Sequence, residues 1–286
     1  MICLFLVFYA VFQAITAELG LAETGKAALR FAIASLIAAG LAAVVLLPEI
    51  FALRLTASGE MNFPKTFESY FSIVDMMARQ LPFVECEIGL DHWPNIYCGI
   101  FTLQLLLLYF SSREVPIKQR VGYALFLLFF FASFSVNVLN YIWHGFHYPN
   151  SLPARQSFIF CFLVLYLSFQ ALERFPRFSP REIFLSFAAV VLFILFAEKL
   201  VTEEHFHFWV FYLAFLLAAL YGLIFRSYAT GQFARELYFC MLLILVTLES
   251  TLNLAYTSIP TTSRTEYTAD NADIQLLKKS VPETPF

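Results

Sequence analysis

Eight apolar runs, each close to the length of a bilayer crossing, decide what this chain can become. They fall at about 1–18, 28–48, 96–112, 119–138, 157–173, 181–198, 207–226 and 236–255. A crossing helix needs ~20 mostly apolar residues, because in hydrocarbon the backbone polar groups are satisfied only within a helix or a closed barrel. Barrel strands would show as alternating segments of ~10 residues, and none is evident. Only 14% of residues are charged and 35 are Phe, against ~25% charged in a soluble domain. The expected fold is an all-α polytopic membrane protein with about eight transmembrane helices in residues 1–255. The runs at 96–112 and 157–173 are short for a full crossing.

The loops orient the bundle. Every second connection is basic: Lys26 and Arg30; Arg113, Lys118 and Arg120; Arg174, Arg177 and Arg181; Arg226 and Arg235. With the helix ends included, that side carries 10 Lys and Arg against 6 Asp and Glu, and the other side 8 against 15. An excess of basic residues marks the cytoplasmic side, so both termini are expected outside. The outer side holds the long connection 49–95, the stretch 139–156 and the tail 256–286. The tail, with TTSRTEYTADNADIQLLKK near its beginning, reads as the start of an extracytoplasmic domain and predicts a short amphipathic helix at 273–279. The net charge of −3 gives no footprint for a nucleic-acid partner. Five scattered cysteines lack metal spacing, and Cys86 with Cys98 is a weak candidate for a bridge.

The outer connections carry the chemistry. In residues 67–81, Phe67, Tyr70, Phe71, Val74 and Met77 approximate one apolar stripe. This predicts an amphipathic helix, lying along the membrane or packed on the bundle. Asp91 and His92 then precede Trp93 and Pro94, where the third run begins. A carboxylate beside an imidazole can bind a metal, move a proton or orient a sugar. Trp93 also suits a headgroup-level anchor.

The stretch Asn140 to Phe158, NYIWHGFHYPNSLPARQSF, is the most unusual in the chain. Short connections usually make do with Gly, Pro, Asn and a few charges. Here Trp143 and Tyr148 fit an interfacial belt or a stacking surface. His144 and His147 share a helix face if the helix continues that far, as phosphate ligands or as a structural pair. Pro149 and Pro153 break regular helix, and Asn150 suits a turn between them. Arg155 has no Asp or Glu in its own hairpin. It either reaches up to the headgroups or clamps an anionic group, for which its forked guanidinium is suited. Glu249 and Asn253, one turn apart, are rare polar residues in the last run.

LLPEI (46–50), GLDHWPNIYCG (89–99), the 140–158 stretch and the tail phrase TTSRTEYTADN together resemble the bacterial YfhO family. These are large polytopic proteins of the GT-C type, membrane glycosyltransferases that use polyprenyl-phosphate sugars. The resemblance runs from about residue 30 to 286. It implies transfer of a sugar from a polyprenyl-phosphate carrier to a cell-envelope polymer, such as teichoic acid or another surface glycan, at the outer face of the bacterial plasma membrane. The arginine of the family's LP-x-R-x-SF motif falls on Arg155, and a role on the carrier phosphate fits it. His144, His147, His92, Asn150, Trp93, Trp143 and Tyr148 are second-rank binding candidates. The chain departs from the family at Ala154, where an aromatic is common. The GT-C catalytic carboxylate is expected in an early outer loop, so the chain reads as a fragment. Asp91 and Glu49 are the fallback carboxylates, and a divalent metal in the intact protein stays open. A flippase or transporter for a lipid-linked substrate, or a non-catalytic envelope protein, remains the alternative.

Overall fold

A computed structural model describes residues 1–53, 55, 63–86, 93–146, 153–202, 206–257 and 263–280. Among them are eleven α-helices: α1 (Ile2–Thr16), α2 (Leu21–Leu53), α3 (Ile73–Ala78), α4 (Ile100–Ser111), α5 (Ile117–Ser135), α6 (Asn137–Trp143), α7 (Ser157–Glu173), α8 (Pro180–Leu200), α9 (Phe208–Ala229), α10 (Arg235–Tyr256) and α11 (Arg264–Ser280). A helix lies over each of the eight apolar runs. Five (α2, α5, α8, α9 and α10) are long and apolar enough to cross a membrane, and α1, α4 and α7 are shorter apolar helices. The protein is a polytopic helical membrane protein.

Helix α4 is the centre, packed against α7, α8 and α9. Its 12 residues span only about 18 Å at ~1.5 Å per residue. The extended segment 93–99 carries the chain to it. Such non-helical backbone is tolerated at membrane depth only where protein covers it, and here Pro94 and Ile96 are buried. Ser168 on α7 donates its hydroxyl to the Thr102 carbonyl of α4 at 2.9 Å, which joins the two helices.

Aromatic packing fixes α1 on α5. Phe5 and Phe12 stack on Phe126, with ring centres 6.2 and 5.2 Å apart. Gln13 ties the hydroxyls of Tyr9 and Tyr123 at 2.6 and 3.1 Å. Helix α2 differs: none of its 32-residue apolar span is buried. It runs through Pro48 to Leu53, past the expected end at 48.

The basic loops share one end. Lys118 pairs with Glu18 at 2.7 Å, and Arg177 with Glu114 at 3.0 Å. Phe175 packs on Phe225 and Tyr228 across the same end. At α8, Ser179 accepts from the Glu182 amide and Glu182 accepts from the Ser179 amide, a reciprocal cap ahead of Pro180.

Three expectations need correction. Residues 67–81 do not form one amphipathic helix. Helix α3 has six residues, and it buries Asp75, Met76 and Ala78 while Phe67 and Met77 stay exposed. Residues 66–71 are extended instead, because they satisfy a break in the helix predicted at 119–138. Helix α5 stops at Ser135 and α6 restarts at Asn137. The Tyr70 amide donates to the Ser135 carbonyl at 2.9 Å, and the Asn137 amide to the Glu68 carbonyl at 3.1 Å. The Asn137 side chain reaches the Thr66 carbonyl at 2.7 Å. Finally, the tail helix is longer than the short one expected at 273–279. Ser263 and Glu266 cap each other and start it at Arg264.

Candidate functional site

The end opposite the basic loops gathers the buried charges with residues 140–146 and 153–158. Asp75 of α3 accepts from the Thr202 amide at 2.9 Å and from its hydroxyl at 2.8 Å. This holds the end of α8. Arg79, four residues on and 3% exposed, reaches the other way. Its guanidinium donates to the carbonyls of Pro94 at 3.2 Å and Glu85 at 2.8 Å, and to the Asn95 side chain at 3.2 Å. The i, i+4 spacing places both charges on one helix face.

Glu249 completes the anchorage. Its carboxylate is 3% exposed and accepts from three donors on three elements. These are the Ile100 amide at 2.7 Å, the Tyr221 hydroxyl at 2.6 Å and the Tyr97 hydroxyl. Helix α4 starts at Gly99 without a side-chain cap of its own, so a carboxylate from α10 caps it from outside. An anion there also faces the positive end of the α4 dipole. Gly99 has φ +99° and lies 3.8 Å from both carboxylate oxygens, measured from where a Cβ would stand. That backbone conformation favours glycine. One turn further along α10, Asn253 accepts from the Phe83 amide at 2.7 Å.

On this foundation stands the turn that presents Arg155. Ala154 is buried at φ +59°, a conformation that costs an L-residue ~1–2 kcal/mol. Gln156 is fully buried and donates to the Ser133 carbonyl at 2.9 Å and hydroxyl at 3.2 Å. Between these two, Arg155 is exposed, one residue before the N-cap of α7. The Gln156 side-chain oxygen and both amide atoms of the fully buried Asn140 have no hydrogen-bond partner among the described residues.

The other expected residues are distributed unevenly. His144 caps the end of α6, its Nδ1 2.8 Å from the Asn140 carbonyl. Helix α6 ends at Trp143, and Gly145 and Phe146 follow at φ +74° and +62°. Trp143 is 1% exposed and packs on Phe8, Phe129 and Phe130. Burial leaves it no face for a belt or a sugar, and it acts as a packing residue. Trp93 is half-buried and stacks on Phe71 at 4.5 Å. Glu49 is exposed on α2, a helix whose apolar span contributes nothing to the buried core. Asp91, His92, His147, Tyr148 and Asn150 lie outside the described residues. Among the described residues no three His, Cys, Asp or Glu side chains converge as metal ligands. Cys86 and Cys98 are both free. The Cys98 thiol turns to the Ile96 carbonyl at 3.5 Å.

Asp75, Arg79 and Gln156 escaped sequence reading. The signal available was the i, i+4 pair of opposite charges in an otherwise apolar run. Gln156 had no signal beyond its neighbour Arg155.

No curated protein and no solved structure matches this chain. A family model described as "Bacterial membrane protein YfhO" matches residues 1–285. That match reaches further toward the N-terminus than the motifs at 46–50, 89–99 and 140–158, and it agrees with the apolar helical bundle: this chain belongs to the YfhO family of bacterial membrane proteins.

Proposed function

We propose that this protein works in sugar transfer from a polyprenyl-phosphate carrier to a cell-envelope polymer, at the bundle end that carries Arg155. One observation supports this most: Arg155 stands exposed on a turn whose two flanking residues, Ala154 and Gln156, are buried. A flexible surface arginine needs no such support. A cation that meets a leaving phosphate benefits from being fixed in advance, because preorganised donors stabilise developing charge without reorganising. Family membership is consistent with the reading at a coarser level.

In this scheme the acceptor hydroxyl attacks the anomeric carbon. The carbon–oxygen bond to the carrier phosphate breaks, and the electron pair leaves with the phosphate. Arg155 binds that phosphate through two parallel N–H donors, and the α7 N-terminus adds free amides nearby. The acceptor proton passes to a carboxylate, for which this chain offers Asp91 and Glu49. His144, half-buried at the end of α6, is the second cationic candidate for the anion. Trp93 keeps part of its indole open for a sugar or prenyl face.

A transporter reading calls for ionisable side chains along a path through the bundle. Among the described residues the buried charged side chains are Asp75, Arg79 and Glu249, all at one end, and this favours the transferase.

The test uses membranes that contain the full chain, a radiolabelled polyprenyl-phosphate sugar and envelope polymer. Arg155→Ala lowers transfer by about 100-fold, the loss typical when a charge-stabilising donor is removed, and Arg155→Lys restores part of it. Unchanged transfer by Arg155→Ala at normal membrane abundance removes Arg155 from the mechanism.

A further inference from the structure

At the basic end, α8 and α9 border a groove of about 560 Å³. Its walls include Phe184, Phe187, Ala219 and Leu223, and its rim carries Arg181 and Arg226. Gly222 lines the groove and lets α9 approach α8 there, since a Cβ would stand 2.9 Å from the Phe187 ring. No acidic side chain lines it. Neither guanidinium has a hydrogen-bond or ion-pair partner among the described residues, and both arginines are exposed. The nearby carboxylate of Glu182 is taken by the Ser179 amide and hydroxyl, both at 2.8 Å.

We propose that this groove is a binding site for an anionic phospholipid, its phosphate between Arg181 and Arg226 and an acyl chain along the apolar walls. Three observations converge on that occupant. The groove lies between the start of α8 and the end of α9, where a bundle of this kind meets the headgroups. Its walls are apolar, which suits a chain rather than a soluble anion. Its rim has two unshared guanidiniums, which suit a phosphate headgroup of net negative charge more than one neutralised by its own cation. Arg113, Arg174 and Arg177 sit at the same end, but their pocket includes Glu114 and Glu182, and Arg177 is already paired with Glu114. That charge balance singles out the α8–α9 groove.

The experiment is native mass spectrometry of the full chain released from detergent. The probes are palmitoyl-oleoyl phosphatidylglycerol, the phosphatidylcholine with the same chains, and glycerol phosphate as the soluble headgroup. Phosphatidylglycerol is expected to bind in preference to phosphatidylcholine, and glycerol phosphate not to compete. Arg181→Ala and Arg226→Ala each weaken phosphatidylglycerol binding about fivefold, the factor that corresponds to ~1 kcal/mol per basic side chain. The double variant loses about 25-fold by the same reckoning, while phosphatidylcholine binding and the unfolding midpoint stay unchanged. Ala219→Trp, which fills the wall, lowers binding of both lipids. Equal binding of the two lipids overturns the proposal. So does full selectivity in the double variant, selectivity that follows Arg113 or Arg177, or competition by glycerol phosphate.

Discussion

Glu249 shows how much one buried carboxylate can hold. It accepts from Ile100, Tyr97 and Tyr221 at once, so removing it orphans three donors on three elements. Hydrogen bonds to a charged group contribute ~1.5–3 kcal/mol each, and a buried donor left unpaired costs ~1–3 kcal/mol. Glu249→Ala should therefore destabilise the bundle by ~3–5 kcal/mol, read as a lowered unfolding midpoint in detergent. Glu249→Gln should cost less, since its amide oxygen still accepts from Ile100. The sequence marked Glu249 only as a rare polar residue in an apolar run. Its partners lie 28 to 152 positions away, which local spacing does not reveal. Arg155 is the opposite case. Its lack of an acidic neighbour was legible, but the buried turn beneath it depends on Ser133 of another helix.

Among the elements, α3 leans hardest on its neighbours. It has six residues, too short to be stable by itself, since isolated helices below ~12–15 residues are marginal in water. Tertiary contacts hold it: Asp75 to Thr202 and Arg79 to the 85–95 segment. Arg79→Ala should leave the Pro94 and Glu85 carbonyls short of a donor. We expect ~3 kcal/mol of lost stability and faster amide exchange confined to residues 73–99, measured by hydrogen–deuterium exchange. Uniform acceleration across the bundle would contradict a local latch. The stripe from Phe67 to Met77 pointed to a longer helix because periodicity ignores competing partners. Backbone groups freed at Ser135–Asn137 recruited residues 66–71 as an extended strap. That break contains neither Pro nor Gly, so nothing in the local sequence announced it. The capping boxes at Ser179–Glu182 and Ser263–Glu266 were, by contrast, readable as S-x-x-E. The second explains why α11 begins nine residues before the expected short helix.

For the whole molecule, the two ends are held by different physics. The basic end relies on exposed pairs, and solvent and salt screen such pairs strongly. Lys118 holds the Glu18 carboxyl below its usual range through a hydrogen bond and its charge. A carboxylate with a lowered folded pKa contributes above its unfolded pKa, and the contribution fades as pH falls through the folded value. The difference in unfolding midpoint between Glu18→Gln and the parent should thus be small at pH 7. It should vanish on acidification below the carboxylate range and shrink in high salt, which a midpoint series over pH and salt will show. The opposite end relies on buried, hydrogen-bonded charges, which salt screens far less. It is also the end that carries the candidate site, where a fixed geometry is of most use.

The sequence by itself determined that this is a polytopic helical membrane protein, that an apolar helix lies over each of eight runs and which loops carry the basic charge. Hydrocarbon leaves a long apolar segment few other solutions, so length and composition suffice. Only the tertiary structure decided that Trp143 is core, that α5 breaks at Ser135, that the 66–71 strap fills the break, and that Glu249 caps α4 from α10. Those outcomes rest on pairing buried polar groups between distant segments, and no local pattern records which partner each group will find.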